Sequence, residues 1–424
     1  MADDRLRSMT VVFNRSRAAD LMDWCGLDAI VASSAVNVAY LTGYTNRLEA
    51  ETRAFMLEPG DGNRRVFQSL AAASADDSAP ALIVPAMFAV GACGLDATTY
   101  PIGRADLDFD RSTERRDTEG ALVKLLARSP WSSPVAGLIA ALRDRGLDDG
   151  RVGVEFTELR PSDLRALRVG LPSAEIRDCT SLFRLLRTVK TQAEIERLRA
   201  AGAAAESAAA NALSDAQGGA TLNEVAGRFR LLLAEAGAEV DHFAWSPRGT
   251  GIAMHSSCPL AENEIAYVDY GCIRELVRSD SGLTFALVPP EDKLLECFAG
   301  LAKSIDLGAA DLRPGARASS VWQTMRDVVD SYGIVSSPHG HGLGLEAREY
   351  PLIVSPSRRR IKDGCIDTHS DLELEAGMVV NLEASTFLPG VASLHVERSY
   401  VVESDGAQPL IPQSLDRLLV AHER

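Results

Sequence analysis

Apolar positions in the first part of the chain recur first at helical spacing and then in short unbroken runs. Between Asn14 and Cys25, Ala18, Leu21, Met22 and Cys25 share one face of an amphipathic helix, and Gly26 ends it. Leu27–Ala32 follows as a short buried strand, and Phe55–Leu57, Arg65–Phe67 and Ala81–Val84 continue the strand pattern. The polar stretch Arg104–Asp117, rich in Asp and Arg, reads as a loop. A second helix is predicted over Val135–Arg145 behind Ser133 and Pro134, which suit a cap and a first helical turn. Val152–Glu155 is a strand, and Leu164–Leu167 lies within a further short helix. Such alternation predicts an α/β domain over residues 1–185.

The texture changes after that. Thr191 and Glu194 form a capping box before an Ala-rich helix over 192–215, which Gly218 and Gly219 stop. Strand runs then alternate with polar spacers at Glu264–Val268, Leu283–Val288, Met378–Leu382 and His395–Val402, with helices at Glu291–Ile305 and Ser319–Tyr332. An α+β second domain over 186–424 is expected, with an antiparallel core.

Composition narrows the function classes. The chain has 424 residues, 46% of them apolar, and a net charge of −15. An acidic surface argues against a nucleic-acid partner, since phosphate binding needs Lys and Arg. No apolar run approaches the roughly 20 residues that cross a bilayer. The first residues, MADDRLRSMTVVF, lack the apolar segment of a secretory signal, so a cytoplasmic location is expected. The seven cysteines are scattered and form no CxxC pair, which disfavours a disulfide framework or a zinc knuckle.

The chemistry-bearing residues lie in the second half. Asp269 ends the run Tyr267-Val268-Asp269, and Asp280 follows in Arg278-Ser279-Asp280-Ser281. His341 stands in the glycine-rich His339-Gly340-His341-Gly342-Leu343-Gly344. Glu383 closes Met378–Glu383, and Glu397 stands in His395-Val396-Glu397-Arg398. Carboxylates in or beside apolar strands are costly to bury unless paired, hydrogen-bonded or metal-bound. Divalent cations would neutralise such a set and activate water near neutral pH.

The order Asp, Asp, His, Glu, Glu, with Gly-His-Gly-Leu-Gly around the histidine, resembles the pita-bread metallohydrolases: methionine aminopeptidase, aminopeptidase P, prolidase and creatinase. Leu27–Val31 with Val38–Tyr44 resembles the creatinase-type N-terminal domain, and Arg187–Lys190 with Glu194, Ile195, Leu198 and Arg199 resembles the start of the catalytic domain. The resemblance implies one or two divalent ions (Mn, Fe, Co or Zn) on Asp269, Asp280, His341, Glu383 and Glu397. Asp280 and Glu397 would bridge them, and Glu383 would serve as general base. It places His255 where relatives carry a substrate-facing histidine, and His339 among the substrate contacts. It also implies a homodimer in which Arg47 and Arg53 reach a substrate carboxylate in the partner's site.

Three positions depart from the family pattern. Arg348 stands seven residues after His341, where the peptidases carry a second catalytic histidine. His395 stands two residues before Glu397 in place of an arginine, and Leu283 replaces the arginine three residues after Asp280. Arginine stays charged and binds anions rather than relaying protons. His395 is therefore expected to supply the missing imidazole, and a small anionic substrate to be preferred over simple dipeptides. The implied reaction is attack by a metal-bound hydroxide on the amide-type C–N bond of a dipeptide or small metabolite. Alternatives on the same scaffold are a lyase of the dimethylsulfoniopropionate-lyase type, a creatinase- or ectoine-hydrolase-like amidohydrolase, and an inactive binding homologue.

Overall fold

In the computed structural model, residues 12–46, 68–76, 78–103, 131–412 and 418–421 are described. Arg47, Arg53, the strand runs at 55–57 and 65–67, and the polar loop at 104–117 lie outside them. The chain divides into two compact units. One comprises Met1–Leu186 with Ile361–Thr368, and the other Arg187–Arg360 with His369–Arg424.

In the first unit, α1 (Arg15–Cys25) begins where the Asn14 side chain accepts the Arg17 amide. It ends at Gly26, whose φ of 62° suits a residue without Cβ. β1 (Ala29–Ala32), α2 (Ala35–Thr42), β2 (Leu70–Ser74), β3 (Ala81–Pro85), β4 (Thr98–Ile102), α3 (Pro134–Arg143), β5 (Arg151–Val154), α4 (Pro161–Gly170), β6 (Glu175–Asp178) and α5 (Thr180–Leu186) follow. The six strands run in the order β4-β3-β2-β1-β5-β6. Val31, Leu70, Ile83, Leu138 and Val152 form part of their buried core. The excursion at 361–368 joins this unit through Asp363, whose carboxylate accepts the Ser181 and Leu182 amides at 2.7 and 2.9 Å. Those amides are donors that a helix start leaves unmatched.

The second unit opens with α6 (Gln192–Ser214) and α7 (Leu222–Glu235), each starting in a Thr/Glu capping box. Then come β7 (Glu239–Pro247), β8 (Ile265–Arg274), β9 (Val277–Arg278), β10 (Ser281–Ala286), α8 (Asp292–Ala310), α9 (Ala318–Ser331), β11 (His339–Gly342) and β12 (Glu349–Ile353). Next are β13 (Arg360–Lys362) and β14 (Asp367–His369), which open and close the 361–368 excursion of the first unit, and after them β15 (Val379–Leu388), β16 (Ala392–Glu403), β17 (Gly406–Pro409) and β18 (Leu419–Val420). The main sheet runs β12-β11-β15-β16-β10-β8-β7, all neighbours antiparallel. An antiparallel sheet of this kind is what the resemblance to the pita-bread metallohydrolases implies. Val268, Tyr270, Leu283 and Phe285 pack with Leu198, Ala205 and Phe229 of α6 and α7. Leu382, Ala384, Leu394 and Val396 pack with Leu301, Ile305 and Met325 of α8 and α9. Strand side chains alternate between faces, so the residues between these apolar ones share the opposite face. Among the described residues, no helix is long and apolar enough to cross a membrane.

A buried ionic network ties the start of the unit to β12. Lys190 Nζ lies 2.7 Å from Glu349 Oε2 and Arg187 Nε 3.4 Å from Glu349 Oε1, and Arg187 also pairs with Glu346. Glu194 sits beside it, fully buried, with one carboxylate oxygen lacking a hydrogen-bond partner among the described residues. Burial pushes its carboxyl up to about 7; Lys190 pulls it down and Glu349 pushes it up again. An acid whose folded pKa is raised contributes stability in full below its unfolded pKa and loses it as pH rises through the folded value. Glu194→Gln mimics the protonated form. It is expected to match wild type in chemical denaturation near pH 5 and to be more stable at pH 8.5, by on the order of 2 kcal/mol. Equal stability at both pH values would contradict the buried charge.

Candidate metal centre

The sheet register assembles the site. His339 pairs with Glu383, Glu383 with Glu397, Glu397 with Gly282, and Gly282 with Asp269. One row across five strands therefore carries three acids and an imidazole on the face opposite the helices. Asp280 precedes β10, and His341 lies two residues beyond His339 on the same face. His341 Nε2 is 3.5 Å from Asp280 Oδ2 and 3.8 Å from Glu383 Oε1. All five expected ligands thus come together. His242 on β7 joins them, with Nε2 2.8 Å from Asp269 Oδ1 and 3.3 Å from Asp280 Oδ1.

Three overlapping groups have ligand atoms within 4.8 Å of one another: His242, Asp269 and Asp280; Asp280, His341 and Glu397; Glu383, His395 and Glu397. Asp280 belongs to the first two and Glu397 to the last two. Few hydrogen-bond donors answer these carboxylates. The Tyr267 hydroxyl donates to Asp269 at 2.9 Å, the Asn381 amide donates to Glu397, and His339 and Arg348 reach Glu383 Oε1 at 2.7 and 3.3 Å. Burial, followed by the charges of Asp280, Asp269 and Glu383, pushes the Glu397 carboxyl well above its ordinary range. Burial also raises Glu383 and Asp269, but hydrogen bonds with His339 and His242 respectively bring both below the usual value. Burial holds His341 and His395 low, despite the acids around them.

The departures from the family pattern fall into place differently from expectation. Leu283 is buried in the apolar layer under α6 and α7, on the face away from the acids, so its exchange leaves the pocket lining untouched. His395 does not face the pocket as a free imidazole. It is 0% exposed, its Nε2 lies 3.0 Å from Glu397 Oε2, and its ring packs on Tyr267 at a centroid distance of 4.1 Å. The partly exposed imidazole that meets Glu383 is His339. Arg348 is 58% exposed with Nη2 on Glu383, as suits a group that meets a ligand arriving from solvent. His255 lies on an exposed segment and makes no hydrogen bond or ion pair among the described residues. Arg47 and Arg53 are outside the described residues.

Sequence reasoning missed His242. The available signal was period-two patterning: Phe243 and Trp245 are apolar and face the helices, which puts His242 and Ala244 on the acid-bearing side.

Comparison with known proteins adds the chain's relatives. Residues 196–404 match the model of metallopeptidase family M24. A Xaa-Pro dipeptidase of Lactobacillus delbrueckii subsp. lactis is 24% identical over 92% of this chain and 95% of its own length. One from Lactobacillus helveticus is 28% identical over 66% of this chain and 74% of its own. Among solved structures, an X-Pro aminopeptidase from Thermotoga maritima superposes with a TM-score of 0.70 at 16% identity, covering 96% of this chain and 99% of that one. The fold and the convergent acid–histidine face define a metal-dependent hydrolase of the pita-bread class. Residues 196–404 form a domain of metallopeptidase family M24.

Gly282 makes room for the site. A Cβ there would fall 2.2 Å from His395 Cδ2 and Nε2 and 2.6 Å from Glu397 Oε2. Gly282→Ala is expected to weaken metal binding at least tenfold in calorimetric titration, with secondary structure retained. Gly227→Ala, where a Cβ meets nothing within 4 Å, should bind as wild type. Unchanged affinity in Gly282→Ala would contradict the packing.

Proposed function

We propose that the chain hydrolyses the amide-type C–N bond of a dipeptide, or of a dipeptide-like small molecule with a free carboxylate. Two divalent cations would be held by Asp269, Asp280, His341, Glu383 and Glu397, with Asp280 and Glu397 shared between them. The observation that carries this reading is the overlap of acceptor groups at those two shared carboxylates. Four carboxylates with few donors fit cations. Hard oxygens with an imidazole suit manganese, iron, cobalt or zinc.

Divalent cations at this place supply Lewis-acid polarisation of a carbonyl and a lowered pKa for water. The protein's own groups do the rest. Glu383, kept ionised through its hydrogen bond with His339, accepts a proton from the attacking water. His339 Nε2, 2.7 Å from Glu383 Oε1, is placed to carry that proton to the leaving nitrogen. Arg348 is permanently charged and offers a paired contact to the substrate carboxylate. His395 acts through Glu397 by fixing its orientation. The scaffold's relatives support hydrolysis over elimination, since those compared above carry the names Xaa-Pro dipeptidase and X-Pro aminopeptidase. The homodimer implied by the resemblance belongs to the same proposal, and sedimentation velocity at micromolar concentration should show it.

The test is a panel of Xaa-Pro and other dipeptides, with and without an amidated C-terminus, run with each metal in ¹⁸O-labelled water. Label should enter the new carboxylate; an unlabelled elimination product would favour the lyase chemistry instead. Arg348→Ala should raise KM on the order of 10–100-fold for free-carboxylate substrates and leave amidated ones unaffected. His339→Ala should lower kcat by about 10²-fold or more. Full kcat in His339→Ala would remove it from the proton path.

A further inference from the structure

His242 lies outside the ligand set that the sequence motifs imply, yet it stands against two of its members, Asp269 and Asp280. Its ring rests over Gly271 of the adjacent strand, where a Cβ would fall 2.5 Å from Cε1. Its Nδ1 lies 3.0 Å from Asp241 Oδ2, and the other Asp241 oxygen pairs with Arg278. Its Nε2 faces Asp269 Oδ1 at 2.8 Å and Asp280 Oδ1 at 3.3 Å.

A neutral imidazole has one N–H and one lone pair. In the metal-free protein Nε2–H donates to Asp269. Once a cation displaces that proton and the remaining N–H is given to Asp241, the Nε2 lone pair and two carboxylate oxygens converge on one point, all of them acceptors. Convergent acceptors call for a cation between them. A carboxylate behind the distal ring nitrogen is the arrangement that orients metal-binding imidazoles and raises their basicity.

We infer that His242 is a protein ligand of the cation held by Asp269 and Asp280, and that Asp241, braced by Arg278, orients it. The inference rests on the two-cation reading above and deepens it. Each cation position then has one imidazole, His242 at the first and His341 at the second. An added nitrogen donor moves the first position towards zinc or cobalt relative to manganese.

The experiment is titration of cobalt(II) into the metal-free full chain, followed by visible absorption and calorimetry. Wild type should take two equivalents. His242→Gln should bind one of them at least tenfold more weakly, with altered visible bands. Asp241→Asn should weaken the same equivalent by about 10–100-fold. X-ray absorption of the wild-type dicobalt form gives a reading independent of variant folding. It should count about one imidazole per metal rather than one per two metals. If wild type takes two equivalents and His242→Gln matches it in affinity and spectrum, or if only one imidazole serves two metals, this inference is overturned and the two-cation reading stands. If wild type takes no cobalt, both fall.

Discussion

Four carboxylates crowded onto one face of a sheet repel each other, and much of the second unit follows from that. At about 4 Å and an effective dielectric near 20, a pair of like charges costs about 4 kcal/mol. The face is arranged to bear this. Tyr267 and Asn381 donate to the acids, imidazoles stand beside each pair, and Gly271 and Gly282 give up their side chains so that His242 and His395 can approach. The arrangement is incomplete as protein alone. Acceptors remain in excess where Asp280 and Glu397 are shared between groups, which is where cations satisfy the greatest number of charges at once.

The ionic network of Arg187, Lys190 and Glu349 makes an instructive contrast. There, two cationic side chains meet one deeply buried carboxylate, and the protein closes the account by itself. Burial works against the Glu349 charge, and Lys190 and Arg187 more than offset it. Glu349 begins β12 and follows Arg348 directly, so the structural network anchors the backbone next to the residue that meets Glu383. One cluster is self-neutralising and structural; the other, one residue away in sequence, is left open for ligands.

The three departures from the peptidase pattern have unequal consequences. Leu283 changes only the packing under α6 and α7. His395 exchanges an arginine for an imidazole that is wholly buried against Glu397 and Tyr267, so its influence passes through a carboxylate. Arg348 alone alters the exposed rim, placing a fixed positive charge where a proton relay would stand and leaving His339 as the accessible imidazole on Glu383.

Local signals were legible in the chain itself. The capping boxes at Thr191 and Thr221, the αL stop at Gly26 and the acids closing apolar runs are short-range features, decided within a few residues by hydrogen bonding and side-chain sterics. The Thr191 box, the Gly26 stop and the five expected ligands could be named on that basis, the ligands with the help of a spacing that resembles a known family. Which side of each strand those residues occupy, and what stands beside them, depended on register between strands far apart in sequence. His242 and Glu383 are 141 positions apart and enter one cluster only because four antiparallel pairings hold them there. A one-residue slip in any pairing would turn an acid towards the helices. That is why the burial of His395, the retreat of Leu283 from the pocket and the arrival of His242 were decided by the tertiary structure alone.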